Sequence, residues 1–159
     1  EDPRDTVNKD YLNLMQEWSL VGLQKSQPVN HGIYNIDPYT NNFNMFTING
    51  KCFPATSPMP VNYKDIVRLR LAAVQIDHHP MHLHGHQFIV EKADGNPISA
   101  KNRILKNTVL VASGETWDVI FKADNPGIWP FHCHISHHMS NNFTYGTGGM
   151  FTTIVYKES

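Results

Sequence analysis

The sequence predicts an all-β chain. Short apolar and β-branched runs bounded by turn residues recur along its 159 residues, and no long stretch carries the 3.6-residue period of a helix. In residues 66–71, Val67, Leu69 and Leu71 alternate with Arg68 and Arg70, which gives one buried and one wet face. The strands expected in chain order are 11–20, 43–48, 66–71, 82–93, 108–111, 116–122, 127–133 and 150–156. Turn chemistry separates them: Asn49-Gly50 closes the second, and Asp94-Gly95-Asn96-Pro97 closes the fourth. Ser113-Gly114 and Asp124-Asn125-Pro126-Gly127 bracket the run 116–122. Residues 24–42 and 139–149 break the rhythm and are expected as long loops, which are uncommon in compact domains unless functional.

A chain of this length forms one domain with a sizeable core, here spanning 1–159 with 1–10 as a linker or tail. The formal net charge is -1, from 13 Lys+Arg against 14 Asp+Glu, so nothing in the balance points to nucleic acid or an anionic membrane surface. No run approaches the ~18 apolar residues of a membrane span. Glu1-Asp2-Pro3-Arg4-Asp5 lacks the charged-then-apolar pattern of a signal peptide, so any leader is expected to be absent from this chain.

The ten histidines fall mostly in two short windows, 78–86 and 132–138, and the second contains one of the two cysteines, Cys133. If the strand runs over 127–134, side chains alternate faces, so His132 and His134 point one way and Cys133 the other. The window His79-Pro80-Met81-His82-Leu83-His84-Gly85-His86 repeats the logic. His82 and His84 share a parity and His79 has the opposite one. His79 can therefore join Cys133, while His82 and His84 join His132 and His134. A thiolate with two histidines is the ligand set of a blue-copper site, commonly completed by a weak axial methionine. His138 can return to that metal across a short loop. For the axial position the candidates are Met150, Met139 and Phe143. Met150 is favoured because Gly148-Gly149 before it lets the backbone approach closely. Zinc fits less well, since its paired Cys and His spacings are missing. A Cys52–Cys133 disulfide is possible in principle but would consume the thiolate.

These residues resemble the C-terminal domain of multicopper oxidases of the laccase type. "HPMHLHGHQF" is similar to that family's HPxHLHGHxF motif and "HCHISHH" to its HCHxxxH motif. The likeness extends to "FTINGKCFP", "VRLRL" and "VASGETWDVIFKADNPGIWPFHCH", and so covers residues 43–156. It implies a cupredoxin-like Greek-key β-barrel or sandwich. It also implies that His79, Cys133, His138 and Met150 hold type 1 copper, which takes electrons from a phenolic, aromatic or metal-ion donor. His82, His84, His132 and His134 would supply half of a type 2/type 3 trinuclear cluster that reduces dioxygen to water, with electrons passing through Cys133 and its neighbours His132 and His134. The interval from Cys133 to Met150 resembles that of two-domain family members. A complete cluster in the family uses four His-x-His pairs, of which this chain matches two. The rest is expected from a second cupredoxin domain or from other subunits of a homo-oligomer. The resemblance also implies a periplasmic or secreted location.

Two rival functions remain open on the residues alone. A single-domain blue-copper electron carrier needs only the first ligand set, and a trimer similar to nitrite reductase would place type 2 copper between subunits. Among the remaining residues, His86 is expected to hydrogen-bond beside the ligands, His137 to sit in a loop near the site, and His31 has no role. Asp77 reads as a solvated loop carboxylate, with orientation of a ligand histidine or acceptance of a substrate proton as the alternative. Trp117, Trp129, Phe121 and Phe131 read as core, and Cys52 as a buried thiol. Asn142-Phe143-Thr144 matches a glycosylation acceptor, a pattern too frequent by chance to carry weight.

Overall fold

The computed structural model of the chain describes residues 6–157. Twelve strands, one short α-helix and one 3-10 turn (Ala100–Asn102) are found among them. The strands are β1 (Lys9–Trp18), β2 (Met45–Ile48), β3 (Met59–Val61), β4 (Ile66–Ala73), β5 (His79–Leu83), β6 (Phe88–Ala93), β7 (Asn96–Pro97), β8 (Leu105–Lys106), β9 (Thr108–Val111), β10 (Thr116–Lys122), β11 (Ile128–Cys133) and β12 (Phe151–Tyr156). The helix, α1, is Ser136–Ser140.

They form two sheets. One runs β2-β1-β4-β10-β6-β7 with β8 attached to β6, and the other runs β3-β12-β11-β5-β9. Pairing is antiparallel except for β1 with β4 and β12 with β3. The alternation in β4 works as its sequence implies. Val67, Leu69 and Leu71 are buried, and Arg68 and Arg70 lie on the opposite face, where both pair with Asp10. Between the sheets these side chains meet Met81, Leu83, Phe131 and Ile154 from the other layer. The architecture is the cupredoxin type, and both inner faces contribute to one core cluster.

Several boundaries differ from those expected. Lys9 and Asp10 belong to β1, so the tail expected over 1–10 ends earlier; residues 1–5 lie outside the described residues. The single strand expected over 82–93 is two strands in different sheets. The break falls at Gly85, whose φ of +70° is the left-handed conformation in which glycine carries no Cβ penalty. His86 is therefore not farther along the strand of His82. The loop expected over 139–149 begins inside α1. Residues 24–42 form no strand, only an isolated bridge of Leu20 with Ile36.

Candidate metal centre

β5 and β11 are neighbours in register, with His82 opposite His132 and Met81 opposite Cys133. Burial along β5 alternates: His79, Met81 and Leu83 are buried, whereas Pro80 and His82 are half-buried. The parity read from the sequence thus places His79 on the core side with Cys133. α1 follows β11 after a two-residue link and brings His138 back to the same pocket.

Among the described residues, His79, Cys133 and His138 are the one group of three whose potential ligand atoms all lie within 4.8 Å of one another. Cys133 Sγ is 3.5 Å from His138 Nδ1 and 4.0 Å from His79 Nδ1, and the two Nδ1 atoms are 3.3 Å apart. All three residues are buried. Burial pushes the Cys133 thiol up to about 12. Burial first, then the neighbouring His137 and His79, pushes His138 down to about 3. Burial thus favours the neutral forms of the Cys133 thiol and the His138 imidazole, in a pocket where a metal cation with a coordinated thiolate would supply the missing positive charge. One thiolate and two imidazoles in this arrangement fit copper better than the four-ligand tetrahedron of structural zinc.

Each of these histidines turns its other ring nitrogen to a carboxylate. His79 Nε2 lies 3.2 Å from Glu17 Oε2, and His138 Nε2 lies 3.3 Å from Asp77 Oδ2. Glu17 Oε1 accepts from the Asp77 backbone N–H at 2.9 Å, joining the two carboxylates. Asp77 is therefore not the freely solvated carboxylate that its loop position suggests. Glu17 escaped the sequence reading altogether; its one signal is a charged residue at the same parity as the buried Asn13 and Met15 of β1.

Met150 is fully buried, and its backbone ties it to both neighbours: its N–H donates to His138 O, and its carbonyl accepts from Cys133 N. Met139 instead lines a cleft of about 390 Å³ with His84, His132 and His134. Phe143 is exposed and stacks on His137, 4.7 Å between ring centroids. His137, in α1 rather than in a loop, lies edge-on to His138 at 4.5 Å.

The other four histidines gather on the far side of β5 and β11. His84 Nε2 and His132 Nε2 are 3.0 Å apart, and the His82 ring centroid lies 4.6, 5.8 and 5.5 Å from those of His84, His132 and His134. His132 Nδ1 sits 2.9 Å from Cys133 O and His82 Nδ1 2.8 Å from Thr108 Oγ1. Donation from His132 Nδ1–H to that carbonyl leaves its Nε2 lone pair directed at His84. Burial, aided by the neighbouring histidines, lowers the pKa values of His82 and His132, which favours the neutral ligand form. His84 and His134 are exposed, so this set opens to the surface.

His86 hydrogen-bonds beside the outer histidines. Its Nδ1 is 3.3 Å from His84 O and its Nε2 2.7 Å from Tyr156 Oη. His31 is exposed and lines a separate cavity with Cys52, which is half-buried and unpaired. Phe121 and Phe131 are buried, while Trp117 and Trp129 pack partly buried against the core.

The multicopper oxidase sequence pattern matches residues 23–146. The chain is similar to multicopper oxidase MmcO of Mycobacterium tuberculosis, at 38% identity over 93 residues, which is 58% of this chain and 18% of that protein. Its fold matches the blue copper oxidase of Nitrosomonas europaea with a TM-score of 0.78 and 35% identity, covering 98% of this chain and 46% of that one. It matches the multicopper oxidase mgLAC with a TM-score of 0.79 and 32% identity, covering 99% and 47%. The chain thus spans less than half of either solved oxidase and about a fifth of MmcO. With a matched pattern over most of its length and a buried cysteine–histidine–histidine group compatible with type 1 copper, the chain belongs to the multicopper oxidase family.

Proposed function

We propose that this chain is the type 1 copper domain of a laccase-like oxidase, with His79, Cys133, His138 and axial Met150 as one ligand set and His82, His84, His132 and His134 as half of a trinuclear set. Copper at these positions supplies one-electron oxidation of a phenolic, aromatic or metal-ion donor and four-electron reduction of dioxygen to water. The observation that carries the reading is the placement of two donor sets on opposite sides of one strand end. Cys133 belongs to one set, and its own carbonyl is hydrogen-bonded to His132 of the other at 2.9 Å. The polypeptide itself is the bridge.

The second set is open to the surface and holds only two His-x-His pairs. A second cupredoxin domain, or another subunit, completes it. The pairwise approach of His84 and His132 supports this, because no three of the four ring donors converge as His79, Cys133 and His138 do. On the first side, Asp77 is partly exposed and its Oδ2 touches His138 Nε2, so it is placed to accept a proton from a phenolic donor at that edge. A recess of about 240 Å³ beside Gln75 and Ile76, walled by Trp18, Ile36 and Phe43, offers an apolar surface for the ring. A pure electron carrier would leave the four outer histidines without a use, and the oxidase relatives favour neither the carrier nor the nitrite-reductase-like alternative. We place the protein in the periplasm or outside the cell, as the family resemblance implies. Among the described residues no helix is long and apolar enough to cross a membrane.

Copper content per chain, measured with the native particle mass, tests the reading. More than one copper per chain in an assembled particle that consumes dioxygen is expected. One copper per monomer without oxygen uptake would overturn it. Cys133→Ser is expected to abolish the intense blue absorption, and survival of that band would remove Cys133 from the site.

A further inference from the structure

Two glutamates are buried among the described residues, and they are not treated alike. Glu91, 3% exposed, takes a bidentate pair of contacts from Arg68, at 2.9 and 3.2 Å. Glu17, 0% exposed, has no lysine or arginine partner among the described residues. Its carboxylate meets one backbone N–H, from Asp77, and one imidazole nitrogen, His79 Nε2 at 3.2 Å. A buried carboxylate is costly unless a positive charge compensates it. The nearest place for that charge is the far side of the His79 ring, where Nδ1 faces Cys133 and His138.

Glu17 is also held firmly. Its backbone N–H donates to Gln75 Oε1 at 2.7 Å, and Ser113 Oγ fixes the Gln75 carbonyl at 2.7 Å. The strand β1, the 75–77 segment and His79 are thereby locked together. A carboxylate accepting from the outer N–H of a ligand imidazole fixes its tautomer and makes its other nitrogen a stronger donor. A fixed negative charge in a dry site also stabilises a dipositive ion more than a monopositive one.

Resting on the type 1 copper reading above, we propose that Glu17 is a positioning residue that holds His79 with Nε2–H on its carboxylate and Nδ1 toward the metal, and that its buried charge biases the site toward oxidised copper. Asp77 makes the corresponding contact with His138 but is 26% exposed, so solvent screens its charge and Glu17 carries the larger share.

The test uses the full chain loaded with copper, read by the visible thiolate band and by redox titration. Glu17→Gln keeps the shape and a hydrogen-bond acceptor but removes the charge. It is expected to keep the blue band while weakening Cu(II) binding by about 10- to 100-fold, with Cu(I) binding far less affected. The reduction potential then rises by about 59 mV for each tenfold change in that ratio. Glu17→Asp, which restores the charge, is expected to bring the potential back toward the wild-type value. Glu91→Gln, an equal charge change away from His79, is expected to leave it unmoved. A potential in Glu17→Gln equal to wild type, or shifted no more than in Glu91→Gln, overturns the inference while leaving the copper site standing. A wild-type chain that binds copper without the thiolate band overturns both. If Glu17→Gln does not fold, the nitrogen-15 shifts of His79 in the metal-free wild-type chain decide: an Nε2-protonated ring supports the proposal and an Nδ1-protonated ring overturns it.

Discussion

The indole of Trp129 lies against the α-carbon of Gly85, so closely that a β-carbon built on Gly85 would overlap the ring. Trp129 is fixed there by donation from its Nε1 to Asn125 O at 2.7 Å, while Asn125 Nδ2 donates to Gly85 O at 2.9 Å. The glycine inside the histidine motif is thus required by packing and by its φ of +70°, and it is where the chain leaves one sheet for the other. Gly95 has a similar φ, +76°, but open space around it. Gly95→Ala is expected to cost about 1–2 kcal/mol from conformation alone, and Gly85→Ala about 1–3 kcal/mol more from overpacking. Urea unfolding of the two metal-free variants checks this, and equal losses would show that the indole contact carries no energy.

Asn142 clamps the two long loops together. Its Nδ2 donates to Gln24 O at 2.7 Å and Gln27 O at 2.8 Å, and its carbonyl accepts from Ser26 N at 2.8 Å. The side chain is buried and both amide protons are committed, so the Asn142-Phe143-Thr144 tripeptide does not present a free acceptor. Asn142→Ala removes the two side-chain bonds and is expected to cost about 1–3 kcal/mol. Faster proteolytic cutting within 24–42, with the unfolding transition still cooperative, is the expected outcome. Unchanged cutting would mean that other contacts hold the loop.

The legible part of this molecule follows from local periodicity. Parity along β11 separates Cys133 from His132, and the same rule sorts His79 from His82 along β5, because successive side chains of an unbroken strand alternate faces. What parity does not reveal is which distant residue closes a hydrogen bond. Glu17 meets His79 across 62 positions and Asp77 meets His138 across 61, and neither carboxylate sits in a recognisable spacing with its partner. The break at Gly85 was hidden for a related reason: its cause is Trp129, which only the folded chain brings there. The helix Ser136–Ser140 is too short for its period to stand out against a loop.

Acid stability tests the outer face of β4. Asp10 accepts from Arg70 at 2.8 and 2.6 Å and from Arg68 at 3.3 Å. The Arg70 hydrogen bonds hold its carboxyl below the usual range, with Arg68 adding to the effect against the opposing influence of partial burial. A carboxyl whose folded value is depressed contributes stability that is full above its unfolded value and lost as pH falls through the folded one. The wild-type urea midpoint is therefore expected to drop more steeply than that of Asp10→Asn below about pH 4. Because Asp10 is partly exposed, the difference is small and shrinks with added salt. Parallel curves for the two proteins would show that the Arg70 pair contributes nothing.

The two donor sets should fail separately. His84 is exposed and contacts His82 and His132 but none of the buried trio. His138 is 1% exposed and its ring packs 4.0 Å from Phe46 on the opposite side of the site. His84→Ala is expected to leave the thiolate absorption and close to one copper per chain, while copper beyond the first and dioxygen consumption of the assembled protein fall to background. His138→Ala is expected to do the reverse to the spectrum, removing the intense band because the thiolate loses the ligand atom 3.5 Å away. The two variants are read side by side by copper analysis and visible absorption. Loss of the blue band in His84→Ala would mean that the sets share a metal, and the junction at Cys133 would then be one centre rather than two.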